Sequence, residues 1–240
     1  MSVHLITYGS NKFVNSKKRM MVMGMKCGWF NSVKMYGPED LTDDFKNKYS
    51  DILKEKRGGG YWIWKYDIIK QRLDEIKDGD YLIYLDSGCT INRYGYNRFK
   101  QYLDILKDNK YGIISFVMNQ NSERHWTTKE LFNYFKVDLD DRIATSGQII
   151  GGILIMRKYP HVYKIIGDCH KVIEKDKYLI TDKYNSNQMS YFNENRHDQS
   201  ILSLIRKIFG SVIINDETYY EPFGNRESMS KPFWATRTVV

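Results

Sequence analysis

The sequence predicts an α/β fold with a mainly parallel central sheet flanked by helices. Short apolar runs alternate along the chain with segments whose apolar residues recur at helical spacing. This alternation is typical of βαβ units. No stretch rich in Pro, Gly or Ser divides the 240 residues, which predicts a single domain over 1–240.

The strands and helices follow from local patterns. The run 81–85 is continuously apolar and stops at Asp86-Ser87-Gly88, as expected for a strand buried on both faces. A capping box at Thr127 and Glu130 predicts a helix start before 131–135. The other predicted strands are 3–7, 111–117, 149–156 and 211–214, and Gly151-Gly152 interrupts the third of these. The other predicted helices are 66–76, 99–106 and 201–208. The tail after Pro222 has a loop-like composition.

Composition excludes several classes of protein. The hydrophobic fraction is 42% and the charged fraction 28%, which excludes a disordered chain, a collagen-like repeat and a coiled coil. No apolar run is long enough to span a bilayer, and the N-terminus lacks the pattern of a signal peptide. The three cysteines, Cys27, Cys89 and Cys169, are far apart. They predict a reducing, cytoplasmic location without a disulfide framework.

The net charge of +8 favours an anionic partner. Nucleic acid, an acidic lipid surface and a phosphorylated small molecule all fit, and a merely soluble basic surface is the equal alternative. The lysines and arginines are dispersed along the chain, which argues against a nucleic-acid-binding stripe.

Three motifs carry candidate chemistry. Asp86, followed by Ser87 and Gly88, stands at the carboxyl end of a predicted strand, where α/β folds bind ligands. A hard divalent cation binds through such a carboxylate together with substrate phosphates. The alternative is an aspartate that only caps a turn.

The second motif is the run Gly58-Gly59-Gly60, which an arginine precedes and Tyr61-Trp62-Ile63-Trp64-Lys65 follows. Glycines allow close approach of a ligand, and the aromatic and cationic residues could hold a nucleotide or a sugar. A flexible loop leading to core aromatics is the alternative. In the third motif, His197-Asp198-Gln199, the pair His197 and Asp198 could act as base or metal ligand, unless Asp198 is simply the N-cap of the next helix.

These motifs together resemble GT-A-fold, nucleotide-sugar-dependent glycosyltransferases. The similarity is to small single-domain enzymes of bacterial surface-polysaccharide clusters and large DNA viruses. It rests on Thr7-Tyr8-Gly9, the glycine-aromatic run, the segment 79–89 and the Arg196–Ser200 segment, with support from 125–128, 148–152, 216–218 and 234–237.

The resemblance implies hexosyl transfer from a nucleotide sugar, often UDP-linked, to a glycan, lipid-linked or protein-linked acceptor. It implies a donor-binding half at 1–118 and an acceptor-binding half at 119–240, without a specific nucleic-acid partner. For an inverting enzyme, Asp198 is the first candidate for the base, with His197 beside it. A retaining enzyme needs no such base, and the sequence leaves both outcomes open. The implied donor contacts are Thr7, Tyr8, Arg19, Gly60, Tyr61, Lys65, Asp86 and Gly88, and the implied acceptor contacts are Trp126, Gln148 and Gln199.

The resemblance also implies Mn²⁺ or Mg²⁺ at Asp86, bridging an Asp-x-Asp motif and the diphosphate. This chain departs from that motif, because its third position is Gly88. A second ligand would have to come from His197, Asp198 or Asp216. A metal-independent enzyme with Lys65 or Arg19 facing the diphosphate is the alternative. Two other classes stay open: a metal-dependent nucleotidyltransferase or phosphotransferase, and a basic nucleic-acid or membrane-surface module, peripheral to the bilayer.

Overall fold

The computed structural model describes residues 1–240. The strands are β1 (Val3–Tyr8), β2 (Ser32–Tyr36), β3 (Tyr81–Leu85), β4 (Thr90–Ile91), β5 (Ile113–Ser122), β6 (Gly147–Ile149), β7 (Ile153–Arg157), β8 (Val212–Asn215) and β9 (Phe233–Trp234). The helical segments are α1 (Val14–Cys27), α2 (Asp43–Lys48), α3 (Ser50–Leu53), α4 (Gly58–Tyr61), α5 (Trp64–Glu75), α6 (Tyr96–Lys107), α7 (Glu123–Trp126), α8 (Lys129–Phe135), α9 (Arg142–Thr145), α10 (Pro160–Lys175), α11 (Asp198–Phe209) and α12 (Arg226–Met229).

Seven strands form one sheet in the order β2-β1-β3-β7-β5-β6, and β8 also pairs with β5. β1 is parallel to β2 and β3, and β5 is parallel to β8. β7 is antiparallel to both β3 and β5, and β6 is antiparallel to β5. Only β6 and β7 therefore run against the other five strands, so the predicted mainly parallel sheet is confirmed.

Helices cover both faces of this sheet. One apolar cluster packs α5, α10 and α11 against one face, and a second packs α1 and α6 against the other. All five residues of β3 are buried between the two clusters. This burial confirms the interpretation of the continuous apolar run 81–85 as a two-sided strand. None of the helices has the length and apolar character that crossing a bilayer requires.

The interruption predicted at Gly151-Gly152 is observed, because a bend at 150–152 divides the predicted strand 149–156 between β6 and β7. Two local predictions are wrong. The N-cap of α8 is Thr128, whose hydroxyl accepts a hydrogen bond from Leu131 N at 3.3 Å, whereas Thr127 donates to the buried Glu123. The tail after Pro222 is not all loop, because it forms α12 and then β9, which pairs with β4.

Candidate active site

Asp86 directly follows β3 at the carboxyl edge of the sheet. Its side chain accepts a hydrogen bond from the Tyr84 hydroxyl and lies 3.5 Å from the ammonium of Lys65. Backbone hydrogen bonds close the turn itself, with Cys89 N donating to Asp86 O at 2.8 Å. The carboxylate is therefore not needed to cap the turn, and it stays partly exposed, at 38%.

Lys65, in the first turn of α5, joins the three segments of the site. Its ammonium donates to Asp198 Oδ2 at 2.5 Å and to Gly151 O at 3.0 Å, in addition to its contact with Asp86. Burial opposes the charge on this lysine, but the two carboxylates outweigh burial and raise its pKa. The site therefore holds a permanent buried cation between two carboxylates.

Asp198 is the first residue of α11 and is 4% exposed. Burial raises the pKa of its carboxyl to about 6, although Lys65 acts in the opposite direction. The alternative that Asp198 is the N-cap is wrong, because His197 holds that position and its side chain makes no capping bond. The carboxylate of Asp198 is directed at Lys65 instead.

Gly151 and Gly152 leave room beside both carboxylates. A Cβ atom at Gly152 would lie 2.7 Å from Asp86 Oδ2, and one at Gly151 would lie 3.3 Å from Asp198 Oδ2. The glycine pair also supplies the carbonyls that accept from Asp86 N and from Lys65 Nζ. Any larger residue here would obstruct the approach of a ligand to the carboxylates.

The run Gly58–Tyr61 and the following Trp62 form a left-handed turn beside the cluster. Every residue of the turn has a positive φ, including Tyr61 at 54° and Trp62 at 59°. The rings of these two residues contact the imidazole of His197, with centroid distances of 5.1 and 5.4 Å. His197 itself has φ 55°. Non-glycine residues held in this region cost free energy, and they concentrate at functional sites.

His197 faces Asp182, with Nε2 at 3.0 Å from Asp182 Oδ1. The ring is buried, and burial lowers its pKa, so the imidazole is neutral at neutral pH. It makes no hydrogen bond to Asp86 or Asp198. His197 packs against the left-handed turn and supports it. The catalytic role of His197 stays a prediction.

The predicted donor residues at the end of β1 are largely buried. Tyr8 stacks on Trp64 with 3.7 Å between ring centroids, and Thr7 is fully buried with no hydrogen-bond partner for its hydroxyl. Arg19, in α1, donates to Cys89 O at 2.6 Å and to Ser87 O at 3.4 Å. The guanidinium of Arg19 thus braces the turn that carries Asp86.

The predicted acceptor residues form a chain of amides behind the glycine pair. Gln199 accepts from Gly151 N at 2.9 Å and donates to Gln148 Oε1 at 2.6 Å. Gln148 is buried and donates to the fully buried Glu123 at 2.9 Å. Gln148, itself held by Glu123, therefore fixes the orientation of the Gln199 amide. Trp126 lies under the guanidinium of Arg196, whose Cζ is 4.0 Å from the ring centroid.

The residues of the site do not supply two free carboxylates that could bind one metal ion together. Asp198 is paired with Lys65, His197 with Asp182, and Asp216 accepts hydrogen bonds within its own turn. No group of three or more His, Cys, Asp or Glu side chains gathers in a metal-binding arrangement. Asp86 is left as a lone candidate ligand.

Two members of the site escaped sequence reasoning. Tyr84 belongs to an unbroken apolar strand, so nothing in the pattern distinguishes its hydroxyl from a core phenol. Glu123 lies far along the chain from both glutamines and from Lys207, whose ammonium is 3.0 Å from its carboxylate. A signal exists only for Gly151-Gly152, because a glycine pair inside an apolar strand pattern suggests a close backbone approach.

Known structures share this architecture. No protein-family model matches the chain, and no curated protein matches it. A glycosyltransferase involved in the glycosylation of the major capsid of PBCV-1 aligns with a TM-score of 0.53 at 12% identity, over 98% of this chain and 93% of that one. Mouse xyloside xylosyltransferase 1 aligns at 0.49 and 8% identity over 91% and 86%, and galactosyltransferase LgtC at 0.46 and 12% over 95% and 83%.

At identities this low, the alignments show similarity of fold and not of function. Only the first of the three has a TM-score above 0.5. That alignment spans nearly the whole of both chains. The sheet and helices of this chain agree with the architecture that the sequence resemblance implied. The chain therefore has a GT-A-like fold, which it shares with a glycosyltransferase of known structure.

Proposed function

We propose that this protein transfers a glycosyl group from a nucleotide-sugar donor to a hydroxyl acceptor. The observation that carries the proposal is the cluster of Asp86, Lys65 and Asp198 at the carboxyl edge of the sheet. In open α/β folds, ligands bind at this edge. The fold shared with a glycosyltransferase supports the same class of reaction.

The cluster has the chemistry of a sugar subsite. Carboxylates accept hydrogen bonds from sugar hydroxyls, and ionised acceptors make stronger hydrogen bonds than neutral ones. Gly151 and Gly152 leave space beside each carboxylate. Lys65 fixes the relative position of Asp86 and Asp198 before a ligand arrives. A preorganised site of this kind does not have to reorganise during the reaction.

The transfer step requires one bond to break and one to form. The bond between the anomeric carbon and the diphosphate oxygen breaks, and its electron pair leaves on the diphosphate. In an inverting transfer, the acceptor oxygen forms the new bond to the anomeric carbon and its proton passes to a base. Asp198 is our candidate, because a carboxylate with a pKa near 6 is a stronger base than an ordinary aspartate and is still ionised at neutral pH.

Other parts of the assignment stay predictions. They are a UDP-linked hexosyl donor, an acceptor that is a glycan or is linked to lipid or protein, and a cytoplasmic location. The predicted contacts at Thr7, Tyr8, Arg19, Gly60, Tyr61, Gly88, Trp126, Gln148 and Gln199 belong to the same set. The predicted Mn²⁺ or Mg²⁺ is not part of this proposal, because Asp86 has no second ligand beside it.

A thermal-shift panel with UDP, GDP, CDP and dTDP, each with and without Mn²⁺, tests the proposal. A ligand at about 100 times its Kd adds about 2.7 kcal/mol, which raises the Tm of a chain of this size by about 5–10 °C. We expect one nucleotide to give such a shift, and the matching nucleoside to give less. No shift with any nucleotide would contradict the proposal, and binding of random oligonucleotides or anionic vesicles instead would favour the surface-module alternative.

A further inference from the structure

The third position of the Asp86-Ser87-Gly88 turn is closed by the C-terminal tail, defined here as Thr236–Val240. A Cβ atom at Gly88 would lie 3.3 Å from Arg237 Cα and 3.3 Å from Thr238 O. The Gly88 carbonyl accepts hydrogen bonds from Thr236 Oγ1 at 2.8 Å and Thr238 N at 2.9 Å. A side chain at this position would therefore press against the backbone of Arg237 and Thr238.

The tail brings a cation to the same turn. Arg237 is exposed, and its guanidinium makes no hydrogen bond and no ion pair. Its backbone has φ 54°, the left-handed region that side chains disfavour. The tail is held on both sides of this residue, because Val240 N also donates to Ser16 Oγ at 3.1 Å. Arg237 is therefore fixed beside the turn that carries Asp86, in a disfavoured backbone conformation and without an ion pair, with its Cζ 5.9 Å from the centroid of the Tyr219 ring.

Further positive charge lies near Arg237. Burial lowers the pKa of Arg196, its ion pair with Glu194 at 3.3 Å raises it, and the charge of Arg237 lowers it, so Arg196 lies near Arg237 but is paired with a carboxylate. Arg19 donates to the carbonyls of the turn and is paired with no carboxylate. Arg19 thus contacts the turn through its guanidinium, and Arg237 lies beside the turn through its backbone.

The charges of the site show where an anion would be accepted. Asp86 and Asp198 together exceed Lys65 by one negative charge, so this cluster suits neutral sugar hydroxyls and repels phosphate. A diphosphate needs positive charge where its oxygens lie, and the gain is largest for charge that develops as the bond breaks. Neither Arg19 nor Arg237 has an acidic partner, but the guanidinium of Arg19 already donates to Thr90, Ser87 and Cys89. The guanidinium of Arg237 makes no hydrogen bond and is free to donate to a ligand.

We propose that Arg237 supplies the positive charge for the donor diphosphate, so that donor binding and transfer need no divalent metal. The inference rests on the proposed function and deepens it. Gly88 supplies no second carboxylate for a metal ion. Arg237, which packs against Gly88, carries the positive charge that a metal ion would otherwise supply. The arginine binds the diphosphate oxygens through charge-assisted hydrogen bonds.

Calorimetric titration with UDP, GDP, CDP and dTDP, in EDTA and in Mn²⁺, tests this. We expect the nucleotide that binds to have the same Kd in both buffers within about twofold. Arg237→Gln should weaken that binding about tenfold or more, and should weaken binding of the matching monophosphate much less. Arg237→Lys should retain part of the affinity. Arg142→Gln, at an exposed arginine of α9 that has no ion pair, is the matched control.

Two results would overturn the inference while leaving the proposed function intact. One is a requirement for Mn²⁺ in wild-type binding. The other is wild-type affinity in Arg237→Gln. If no nucleotide binds the wild type in either buffer, the proposed function fails and this inference fails with it. Equal melting temperatures of the variants and the wild type would show that the comparison concerns binding and not folding.

Discussion

The ammonium of Lys65 lies between two carboxylates, and its removal would leave both of them without their cation. Sequence reasoning identified all three residues as candidates. Their direct contact depends on segments more than a hundred residues apart, such as Lys65 and Asp198, and no local pattern encodes such a distance. At this scale, the identity of the site residues is predictable and their pairing is not.

Lys65→Met should destabilise the protein by about 3–5 kcal/mol, because it leaves buried negative charge uncompensated. The control is Lys70→Met, which breaks an exposed pair with Asp74 at 2.7 Å on the same helix and should cost less than about 1 kcal/mol. Urea unfolding measures both. Equal losses in the two variants would contradict the buried-pair interpretation.

Asp86→Asn should reduce transfer about a hundredfold or more with little change in Tm, because it removes charge and leaves volume unchanged. Asp104→Asn, at an exposed position of α6, is the control. Rates are measured with the donor that the nucleotide panel identifies. Wild-type turnover in Asp86→Asn would remove this carboxylate from the site.

Asp198 should make stability depend on pH in an unusual direction. Its pKa is about 6 in the folded protein and about 3.9 in an unfolded chain. Between these values the folded state binds the proton more tightly, so the free energy of unfolding falls as pH rises from about 4 to 6. Urea unfolding of the wild type and Asp198→Asn across this range isolates the effect. If the free energies of unfolding of the two proteins differed by the same amount at every pH in this range, the pKa of the Asp198 carboxyl would be ordinary.

At the scale of elements, the bend between β6 and β7 and the left-handed turn form the edges of the site. The sequence marks both with glycines, and Gly151-Gly152 predicts the interruption of the strand 149–156. Periodicity does not show that the two halves are separate strands, because both halves are apolar and buried. Gly60 illustrates the constraint, since its φ is 97° and a Cβ atom there would lie 2.9 Å from Leu53 Cα.

Gly60→Ala should therefore cost about 1–3 kcal/mol, from backbone strain and from this close contact. Gly167→Ala is the control, because Gly167 lies inside α10 with open space around its Cα. That variant should be neutral or stabilising by up to about 1 kcal/mol. Chemical unfolding compares the two, and a destabilisation by Gly167→Ala as large as that by Gly60→Ala would argue against the strain.

At the scale of the whole molecule, the C-terminal tail joins parts of the chain that are distant in sequence. Thr238 bonds to Gly88, and Val240 bonds to Ser16 near the start of α1. The pairing of β9 with β4 leads into this arrangement. The loop-like composition after Pro222 gave no sign of it, because hydrogen bonds through backbone atoms and threonine hydroxyls leave little trace in hydropathy.

Deleting Thr236–Val240 should lower the free energy of unfolding by about 1–3 kcal/mol, through the loss of its four hydrogen bonds to Gly88, Thr90 and Ser16. Val239→Ala, at an exposed side chain of the tail, should change it by less than about 0.5 kcal/mol. Differential scanning calorimetry of the two variants compares the contribution of the whole tail to stability with the contribution of one exposed side chain. An unchanged Tm after deletion would show that the tail is not held against the turn.

The sequence by itself determined the α/β class, the two-sided strand β3 and the residue types of the site. Those properties follow from hydrophobic periodicity and from residue chemistry, which are local. Tertiary structure alone decided that Lys65 lies between Asp86 and Asp198, that His197 faces Asp182, and that the tail closes Gly88. These contacts join segments that only chain topology brings together. The burial that raises the pKa of Asp198 exists only after those segments have packed.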